Sequence, residues 1–532
     1  MDLTLLATHF SDISWILIAL VFGLLVSLVS LPPLVGYLAA GFVLSAIGMQ
    51  SGEVLNSVAN IGVTLLLFSI GLKLNIKELL RAEIWAVSAL HMILTVVAFG
   101  TLIFALSFSG LQLFAGSSVV DAALIAFALS FSSTVFAVKE LEEKAEMSSL
   151  HGKISIGILI MQDLFAVIFI TITSGKTPSY AAALLLLLIP LRPLLVKLLH
   201  KAGRGELLIL AGMALALGGA TLFDWLGIKA DLGALIMGVL LAGNEKSEQL
   251  AKSLLAFKEI FLVAFFLSIG FYGVPTLSAL IVALVLVLFM FAKSFLFYRL
   301  LTSFKLRART SFLSSLSLSN YSEFGLIVAY VGYSSGLMEK EWLVIIALAL
   351  SFTFIIASVF NNRAHAFYAR FEDALCRYER RTRLPYDRPI DIGDAEVLIF
   401  GMGRVGSGVY RSMLERYNDK LLGIDIDSSV IEKHKEVGWN VMIGDATDYD
   451  FWERLKPGVV KLILLDMPNI KEMMSAVTMI KQTGYQGAIA AAVKHDDCIK
   501  LLKDAGVDAV YNVYAEAGSG FASHVCESVS LR

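Results

Sequence analysis

Residues 155–172 read SIGILIMQDLFAVIFITI, an apolar run with the length of a membrane-spanning helix and with Gln162 and Asp163 near its middle. A carboxylate at that depth in a bilayer costs several kcal/mol. Side chains kept there usually face the interior of a helix bundle or a water-filled cavity, where they bind ions or relay protons. Asp163 is therefore a candidate transport site. The alternative is a buried aspartate that is hydrogen-bonded to a neighbouring helix.

The remainder of residues 1–361 continues this apolar character. We count about thirteen apolar segments, most of them long enough to cross about 30 Å of hydrocarbon. The mean hydropathy of the chain is +0.76, and charged residues make up 17% of it. That charged fraction lies below the roughly 25% of soluble domains. This part of the chain is therefore predicted to be a polytopic all-α membrane domain.

Lysine and arginine in the loops between these segments predict the orientation. If the N-terminus lies outside, the inner loops carry 16 of these residues and the outer loops carry 3, namely Lys176, Lys229 and Lys340. An excess of this kind marks the cytoplasmic side of a membrane protein. We expect a multi-pass protein of the cell inner membrane, surrounded by lipid, with its C-terminal part in the cytoplasm.

Two of the apolar segments are interrupted by similar polar runs. The first contains Ser132, Ser133 and Thr134, and the second, residues 318–323, ends in Glu323. Weakly helical runs are tolerated at membrane depth where the backbone lines a cavity or is buried in protein. One interruption in each half predicts inverted repeats with two broken, crossing helices at the transport site. The alternative is that these hydroxyl groups bond within their own helices or hold neighbouring helices together.

Two further charges lie in apolar surroundings. Lys293 lies close to Arg299 in sequence, so its ammonium can extend to the inner surface. Its alternative position is at the Asp163 cavity or at the C-terminal end of a broken helix. The shorter Glu323 cannot extend far, and we expect it to gate protons or to hold the broken helix.

Residues 395–532 have ordinary charge density and a βα pattern, which predicts a cytoplasmic Rossmann-like domain. A strand at 396–400 precedes Gly401-Met402-Gly403-Arg404-Val405-Gly406, a helical run and a second strand that ends at Asp425. These glycines permit a tight turn and let the backbone and the helix N-terminus approach a phosphate. Asp425, about 20 residues further on, can accept hydrogen bonds from ribose hydroxyls.

A third segment extends this predicted nucleotide site. Gly444-Asp445-Ala446-Thr447 follows another strand, at the edge where such sheets bind ligands. The alternative is a domain of the same fold that binds nothing and only dimerises. Residues 362–394 link the two parts, and their first half, Arg363–Arg383, is predicted to form an amphipathic helix at the membrane.

Together these motifs resemble the monovalent cation:proton antiporter-2 family, and within it the bacterial Kef-type potassium efflux systems. The resemblance covers residues 12–515, and its discriminating motif is the Gln162-Asp163 pair. Electrogenic sodium antiporters of related fold carry two acidic residues or Asn-Asp there. The resemblance implies a homodimeric antiporter that exchanges K⁺ for H⁺ electroneutrally. The monovalent cation would be held at Asp163, with Gln162, Ser132, Ser133 and Thr134 around it.

The resemblance also implies an adenine nucleotide, AMP or NAD(H), in a domain that regulates potassium conductance. The residues that would hold it are Gly401, Gly403, Arg404, Val405, Gly406, Asp425, Asp445 and Ala446. The glutathione-gated relatives carry two arginines where this chain has Ala492 and Lys494. We therefore expect glutathione to be a weak effector or none. No nucleic-acid partner is expected.

Other functions remain as alternatives to potassium/proton exchange. A sodium/proton antiporter would have the same fold. A nucleotide-gated cation channel would need a continuous carbonyl filter, such as a Thr-Val-Gly-Tyr-Gly run, which the sequence lacks. A membrane-bound dehydrogenase would need a substrate domain after the Rossmann unit and an acid near the nucleotide. We therefore expect a secondary transporter and no enzymatic activity.

Overall fold

The computed structural model describes residues 3–528 apart from 29–32, 50, 74–78, 109–113, 115–117, 145, 148, 174–178, 180–184, 186, 229, 388–391, 449–450, 453–457 and 468. The chain divides into two compact units. Unit 1 comprises Met1–Ala137, Ile154–Phe304 and Ser311–Leu375. Unit 2 comprises Val138–Lys153, Lys305–Thr310 and Cys376–Arg532, so it includes two short segments that lie between helices of unit 1 in the sequence.

Unit 1 is helical, as the apolar segments require, because a helix satisfies its own backbone hydrogen bonds in lipid. Among the described residues, seven helices are long and apolar enough to cross a membrane, and four shorter helices are also apolar. The described helices that precede the sheet domain in the sequence are α1 Leu3–Ser27, α2 Pro33–Ala46, α3 Glu53–Lys73, α4 Ala82–Leu106, α5 Val119–Ser130, α6 Thr134–Glu143, α7 Leu150–Thr173, α8 Leu188–Lys201, α9 Glu206–Trp225, α10 Ala230–Leu241, α11 Glu245–Gly270, α12 Leu277–Ser303, α13 Ala308–Ser317, α14 Glu323–Ser334, α15 Lys340–Asn362 and α16 Ala364–Cys376. The predicted all-α membrane class is confirmed.

Both predicted interruptions are breaks between helices. α5 ends at Ser130, Phe131 is extended with φ −72° and ψ 149°, and α6 begins at Thr134. In the second half, α13 ends at Ser317 and α14 begins at Glu323, with the Ser322 hydroxyl capping α14 by accepting from the Phe324 amide. This cap replaces a hydrogen bond that the break removes from the helix.

The two broken helices pack closely because a glycine lies at their contact. A Cβ atom on Gly325 of α14 would lie 2.3 Å from the carbonyl oxygen of Ala128 of α5. Any larger residue would push α14 away from α5, as at the small-residue contacts of other membrane helices. This close approach brings the two unwound segments together.

Unit 2 contains a parallel six-stranded sheet, which confirms the predicted α/β class. The strand order is β3-β2-β1-β4-β5-β6. The strands and their helices are β1 Val397–Phe400, α17 Arg404–Tyr417, β2 Leu421–Asp425, α18 Ser428–Glu436, β3 Val441–Ile443, β4 Leu462–Leu465, α19 Ile470–Gln482, β5 Ala488–Val493, α20 Asp497–Asp504, β6 Ala509–Asn512 and α21 Val513–Ser528. Every residue of β1 is buried, as its unbroken apolar sequence predicts for a central parallel strand.

The order in which successive strands are added to the sheet reverses at β1. β1 pairs with β2 on one side and with β4 on the other, in register from Val397. Ligands of open parallel sheets bind beyond the carboxyl ends of the strands at such a reversal. The loop 401–403 leaves β1 at this edge of the sheet and leads directly into α17.

Candidate functional site

The two unwound segments of unit 1 are tied together by side-chain hydrogen bonds. The Ser132 hydroxyl donates to the Leu318 carbonyl at 2.8 Å. The Ser133 amide donates to Asn320 Oδ1 at 2.6 Å, and its hydroxyl donates to Glu323 Oε2 at 2.8 Å. All of these groups are buried. The crossing therefore satisfies backbone and hydroxyl groups that the broken helices leave without intrahelical partners.

The charges of Lys293 and Glu323 lie on the ends of the broken helices. Lys293 is buried, and its ammonium donates to the carbonyls of Phe131, at 2.5 Å, and Asn320, at 2.9 Å. These carbonyls follow the C-terminal ends of α5 and α13. Glu323 begins α14 and accepts from Ser133, which immediately precedes α6. The Lys293 ammonium thus lies at the C-terminal ends of two half-helices, where the helix dipoles are negative. The Glu323 carboxylate lies at the N-terminal ends of the other two, where the dipoles are positive.

Asp163 lies on the continuous helix α7, beside this crossing. Its side chain is buried, with 1% of the residue exposed, and its Oδ2 accepts from the Thr134 hydroxyl at 3.0 Å. Thr134 is the first residue of α6. Carboxylate and hydroxyl oxygens are ligands that hard monovalent and divalent cations prefer. The structure thereby brings together one ionisable oxygen ligand and one neutral oxygen ligand at the start of a half-helix.

Gln162 has a different environment from its neighbour. Its Oε1 accepts from the Ser132 amide at 2.9 Å, and its Nε2 donates to the Ser130 carbonyl at 3.2 Å. An amide can donate and accept at once, whereas an ionised carboxylate can only accept. The glutamine therefore holds both sides of the α5–α6 break, which a second acidic residue in its place could not do.

Two residues at the crossing were not predicted as site residues. Asn320 accepts from Ser133 and donates through Nδ2 to the Ser317 carbonyl at 3.1 Å. Asn320 lies within the second polar interruption, and this position could have identified it as a site residue from the sequence. His91 of α4 lies 3.3 Å from the Lys293 carbonyl through Nε2, and its ring stacks on Phe297. A single histidine in an apolar helix gives no pattern from which this contact could be predicted.

The glycine loop of unit 2 has the geometry of a phosphate cradle. Gly401 has φ +92°, and a Cβ there would lie 2.1 Å from the Asp466 carbonyl oxygen. A Cβ on Gly406 would lie 1.8 Å from the Gly401 carbonyl oxygen, so both positions require glycine. A Cβ on Gly403 would meet no atom within 4 Å. The open space lies at the N-cap of α17, where the helix dipole favours an anion.

The remaining predicted nucleotide ligands lie around this cradle. Arg404 is exposed and Val405 is partly buried in the first turn of α17. Asp425 ends β2 and accepts from the amides of Met402, at 2.7 Å, and Asp427, at 2.8 Å. Asp445 is partly buried in the turn after β3 and accepts from the Thr447 amide at 2.8 Å, while Ala446 is buried beside it. These residues lie together beyond the carboxyl ends of the strands, where open parallel sheets bind their ligands.

A second carboxylate, from Asp466, contacts the same loop. Asp466 follows β4, and its Oδ2 accepts from the Gly406 amide at 2.6 Å. Burial raises the pKa of the Asp466 carboxyl to about 6, although the Gly406 amide and the charge of Lys494 act in the opposite direction. A nucleotide phosphate would compete with this carboxylate for the Gly406 amide. Asp466 was not among the predicted ligands, although its position directly after a predicted strand was an available signal.

We expect nucleotide affinity to rise as the pH falls through about 6, because Asp466 is ionised above its raised pKa and then repels the phosphate. Titration calorimetry of the protein with NAD⁺ between about pH 5.5 and about pH 7.5 should show weaker binding at the higher pH by a few-fold. Asp466→Asn should bind more tightly at neutral pH and lose this dependence. An equally steep pH profile in that variant would assign the effect to another group.

Family models match both parts of the chain. The model described as sodium/hydrogen exchanger, transmembrane, matches residues 16–361, and the TrkA-N domain model matches residues 397–513. YbaL of Escherichia coli strain K12, described as a candidate cation/proton antiporter, is 26% identical over 532 residues, which cover 93% of each chain. The glutathione-regulated potassium-efflux system protein KefC of the same strain is 26% identical over 503 residues, covering 89% of this chain and 77% of KefC.

A solved structure is also similar to the membrane part. The sodium proton antiporter MjNhaP1 from Methanocaldococcus jannaschii is 14% identical and covers 70% of this chain and 98% of its own, with a TM-score of 0.44. The family assignment itself follows from the exchanger model, which spans more than half of the chain. The chain therefore belongs to the sodium/hydrogen exchanger family, as a Kef-type cation/proton antiporter with a C-terminal TrkA-N nucleotide-binding domain, and the resemblance to the monovalent cation:proton antiporter-2 family is confirmed.

Proposed function

We propose that this antiporter exchanges one K⁺ for one H⁺ at Asp163. The observation that carries the proposal is the position of Asp163, buried on α7 beside the crossing of the two broken helices, with the Thr134 hydroxyl on its carboxylate. A carboxylate in such a place can hold either a proton or a cation. Alternating access of this group to the two sides would then couple the two ions.

We infer electroneutral exchange from the number of acidic side chains at the crossing that we assign to the transported ion. Lys293 and Glu323 lie on opposite pairs of half-helix ends, where their charges match the helix dipoles. Gln162 is neutral and bridges the α5–α6 break. Asp163 is thus the acid that we assign to the transported ion. One carboxylate exchanges one monovalent cation for one proton, with no net charge moved in a complete cycle.

The test is the balance point of the transport reaction in vesicles that contain the purified protein. For an electroneutral one-to-one exchanger, net flux stops when the K⁺ gradient equals the H⁺ gradient, whatever the membrane potential. If one net charge moved per cycle, about 2.3 kcal/mol per 100 mV would shift the balance gradient about fiftyfold. A balance point that moves with potential would overturn electroneutrality. Proton flux that is driven by Na⁺ and not by K⁺ would identify the sodium/proton alternative.

The TrkA-N domain is proposed to regulate this exchange by binding an adenine nucleotide, AMP or NAD(H). The open space at Gly403 and the excluded Cβ positions at Gly401 and Gly406 support a phosphate there. We expect the nucleotide to act as a regulatory ligand and not to be consumed. Regulation requires that the nucleotide bind one conformation of the transporter better than the other.

We further propose that the protein is a homodimer in the cell inner membrane, with its N-terminus outside and the TrkA-N domain in the cytoplasm. The charge asymmetry of the loops supports this orientation. KefC is named for its regulation by glutathione. Because Ala492 and Lys494 replace the two arginines of the glutathione-gated relatives, we expect glutathione to change the exchange rate weakly or not at all.

A further inference from the structure

Two short segments that precede helices of the cation site belong to unit 2. Val138–Lys153 contains the end of α6 and the start of α7, the helix that carries Asp163. Lys305–Thr310 contains the start of α13. α13 then continues into unit 1 and ends at Ser317, immediately before the unwound residues that contact Ser132 and Ser133. A change in unit 2 at residues 305–310 therefore acts on the first turn of a helix that leads to the crossing.

Arg307 is held by two carboxylates of unit 2. Its Nε donates to Asp387 Oδ1 at 2.9 Å, its backbone amide donates to Asp387 Oδ2 at 2.5 Å, and its Nη2 donates to Asp448 Oδ2 at 2.7 Å. Burial alone would lower the pKa of the Arg307 guanidinium, but the charges of Asp448 and Asp387 outweigh burial and raise it. Arg307 therefore stays charged, and its side chain is fixed by charge-assisted hydrogen bonds.

The first turn of α13 has further bonds of the same kind. Arg309 Nη1 donates to Asp448 Oδ1, and the Thr310 hydroxyl donates to Asp387 Oδ1 at 2.7 Å. The Ala308 amide donates to Glu379 Oε2 at 2.9 Å. Asp448 thus accepts from two arginines, one on each of its oxygens. We name Arg307, Arg309, Asp387 and Asp448 the α13 anchor.

Asp448 connects this anchor to the nucleotide edge of the sheet. It directly follows Gly444–Thr447, and its backbone amide donates to the Asp445 carbonyl at 3.1 Å. Asp445 in turn holds Thr447 through its side chain. The carboxylate of Asp448 and the nucleotide ligands Asp445 and Ala446 therefore belong to one hydrogen-bonded turn. A nucleotide that moves this turn must also move or release the arginines at the start of α13, Arg307 and Arg309.

We propose that the α13 anchor transmits nucleotide occupancy from the 444–448 turn to the broken helix α13, with Asp448 as the shared residue. This inference rests on the proposed regulation by nucleotide. α13 is ten residues long and hydrogen-bonded throughout, so a displacement of its first turn is passed along about 15 Å to its C-terminal end. The change at the end of α13 would alter how Asn320 and Leu318 meet Ser133 and Ser132.

The test compares the Asp448→Asn variant with the unchanged protein. Both are full-length and are studied in vesicles or in detergent, with AMP and NAD⁺ as the nucleotide probes. Asparagine keeps the shape of the side chain but removes the charge that both arginines share. We expect nucleotide affinity, by calorimetry, to change by less than about threefold. The effect of saturating nucleotide on the exchange rate, and on amide hydrogen exchange of residues 308–317, should fall to less than about one fifth.

Two further variants separate coupling from a general loss of charge. Arg309→Gln removes one of the two arginines that Asp448 holds. The double variant Asp448→Asn/Arg309→Gln should be no worse than Asp448→Asn alone, because that variant already lacks the charge that binds Arg309. Glu396→Gln is the matched control. Glu396 also pairs with two cations, Lys420 and Lys461, but it precedes β1 and is not joined to α13. It should leave the nucleotide effect unchanged.

The outcomes distinguish this inference from the proposed function. Hydrogen exchange of α13 does not depend on ion transport, so it reports coupling even if the transported ion is not K⁺. If nucleotide binds and changes the exchange rate in Asp448→Asn and Arg309→Gln as in the unchanged protein, the anchor is not the path and the inference is wrong. If neither probe binds the unchanged protein, nucleotide regulation fails and the inference fails with it, while potassium/proton exchange is tested separately by flux.

Discussion

Cation-driven proton flux should fall to the level of protein-free vesicles when Asp163 is replaced by asparagine. The asparagine side chain has the same shape, and its Oδ1 can still accept from the Thr134 hydroxyl. It can neither release a proton nor offer a negative charge to a cation. The loss should therefore be one of exchange and not of folding. The measurement is the pH change inside vesicles after a K⁺ gradient is imposed, at equal amounts of protein.

A carboxylate elsewhere in the same unit provides the control. Asp121 caps the start of α5 by accepting from the Ser118 amide at 2.8 Å, far along the helix from its broken end at Ser130. Asp121→Asn should cost at most about 1 kcal/mol of stability and leave the exchange rate near its original value. If Asp163→Asn transports normally, the transported ion is held by another group. If both variants lose flux equally, the effect belongs to folding or insertion.

Nucleotide binding should be lost in Gly403→Asp while the TrkA-N domain stays folded. The new side chain has room, because a Cβ at this position meets no atom within 4 Å. Aspartate is also a favourable N-cap, so α17 should not be weakened. Its charge, however, would occupy the place where a phosphate approaches. Repulsion of about 1–4 kcal/mol at contact distance predicts a fall in affinity of about fivefold to a thousandfold.

Two alanine substitutions separate charge from space in the same loop. Gly403→Ala adds a methyl group without charge to the same space and should lower nucleotide affinity less than Gly403→Asp does. Gly406→Ala places its Cβ 1.8 Å from the Gly401 carbonyl oxygen, so the loop must distort and the melting temperature of the domain should drop. Calorimetry for affinity and thermal unfolding for stability report the two effects independently. Unchanged affinity in Gly403→Asp would move the phosphate site away from this loop.

The sequence by itself determined the class of each part. Long apolar runs can satisfy their backbone in lipid only as helices, so an all-α membrane domain followed from segment length alone. Polar runs at 129–134 and 318–323 predicted the two breaks. Weakly helical residues at membrane depth are tolerated where the backbone lines a cavity or is buried in protein, and a broken helix provides such a position. In the soluble part, buried strands, glycines at fixed spacing and Asp425 are local features of one βαβ unit, so the sheet class also followed.

The tertiary structure alone decided which side chains meet. Ser133 and Glu323 are 190 positions apart, Lys293 and Phe131 are 162 apart, and Arg309 and Asp448 are 139 apart. Periodicity predicts which face of an element is buried, but it carries no information about which distant element covers that face. The pairing of Lys293 with two helix ends, the use of Asp466 on the glycine loop and the anchoring of α13 by Asp448 all depend on such distant contacts. Buried polar and charged groups need hydrogen-bonding or charged partners, and only the packing of the folded chain decides which distant residues supply them.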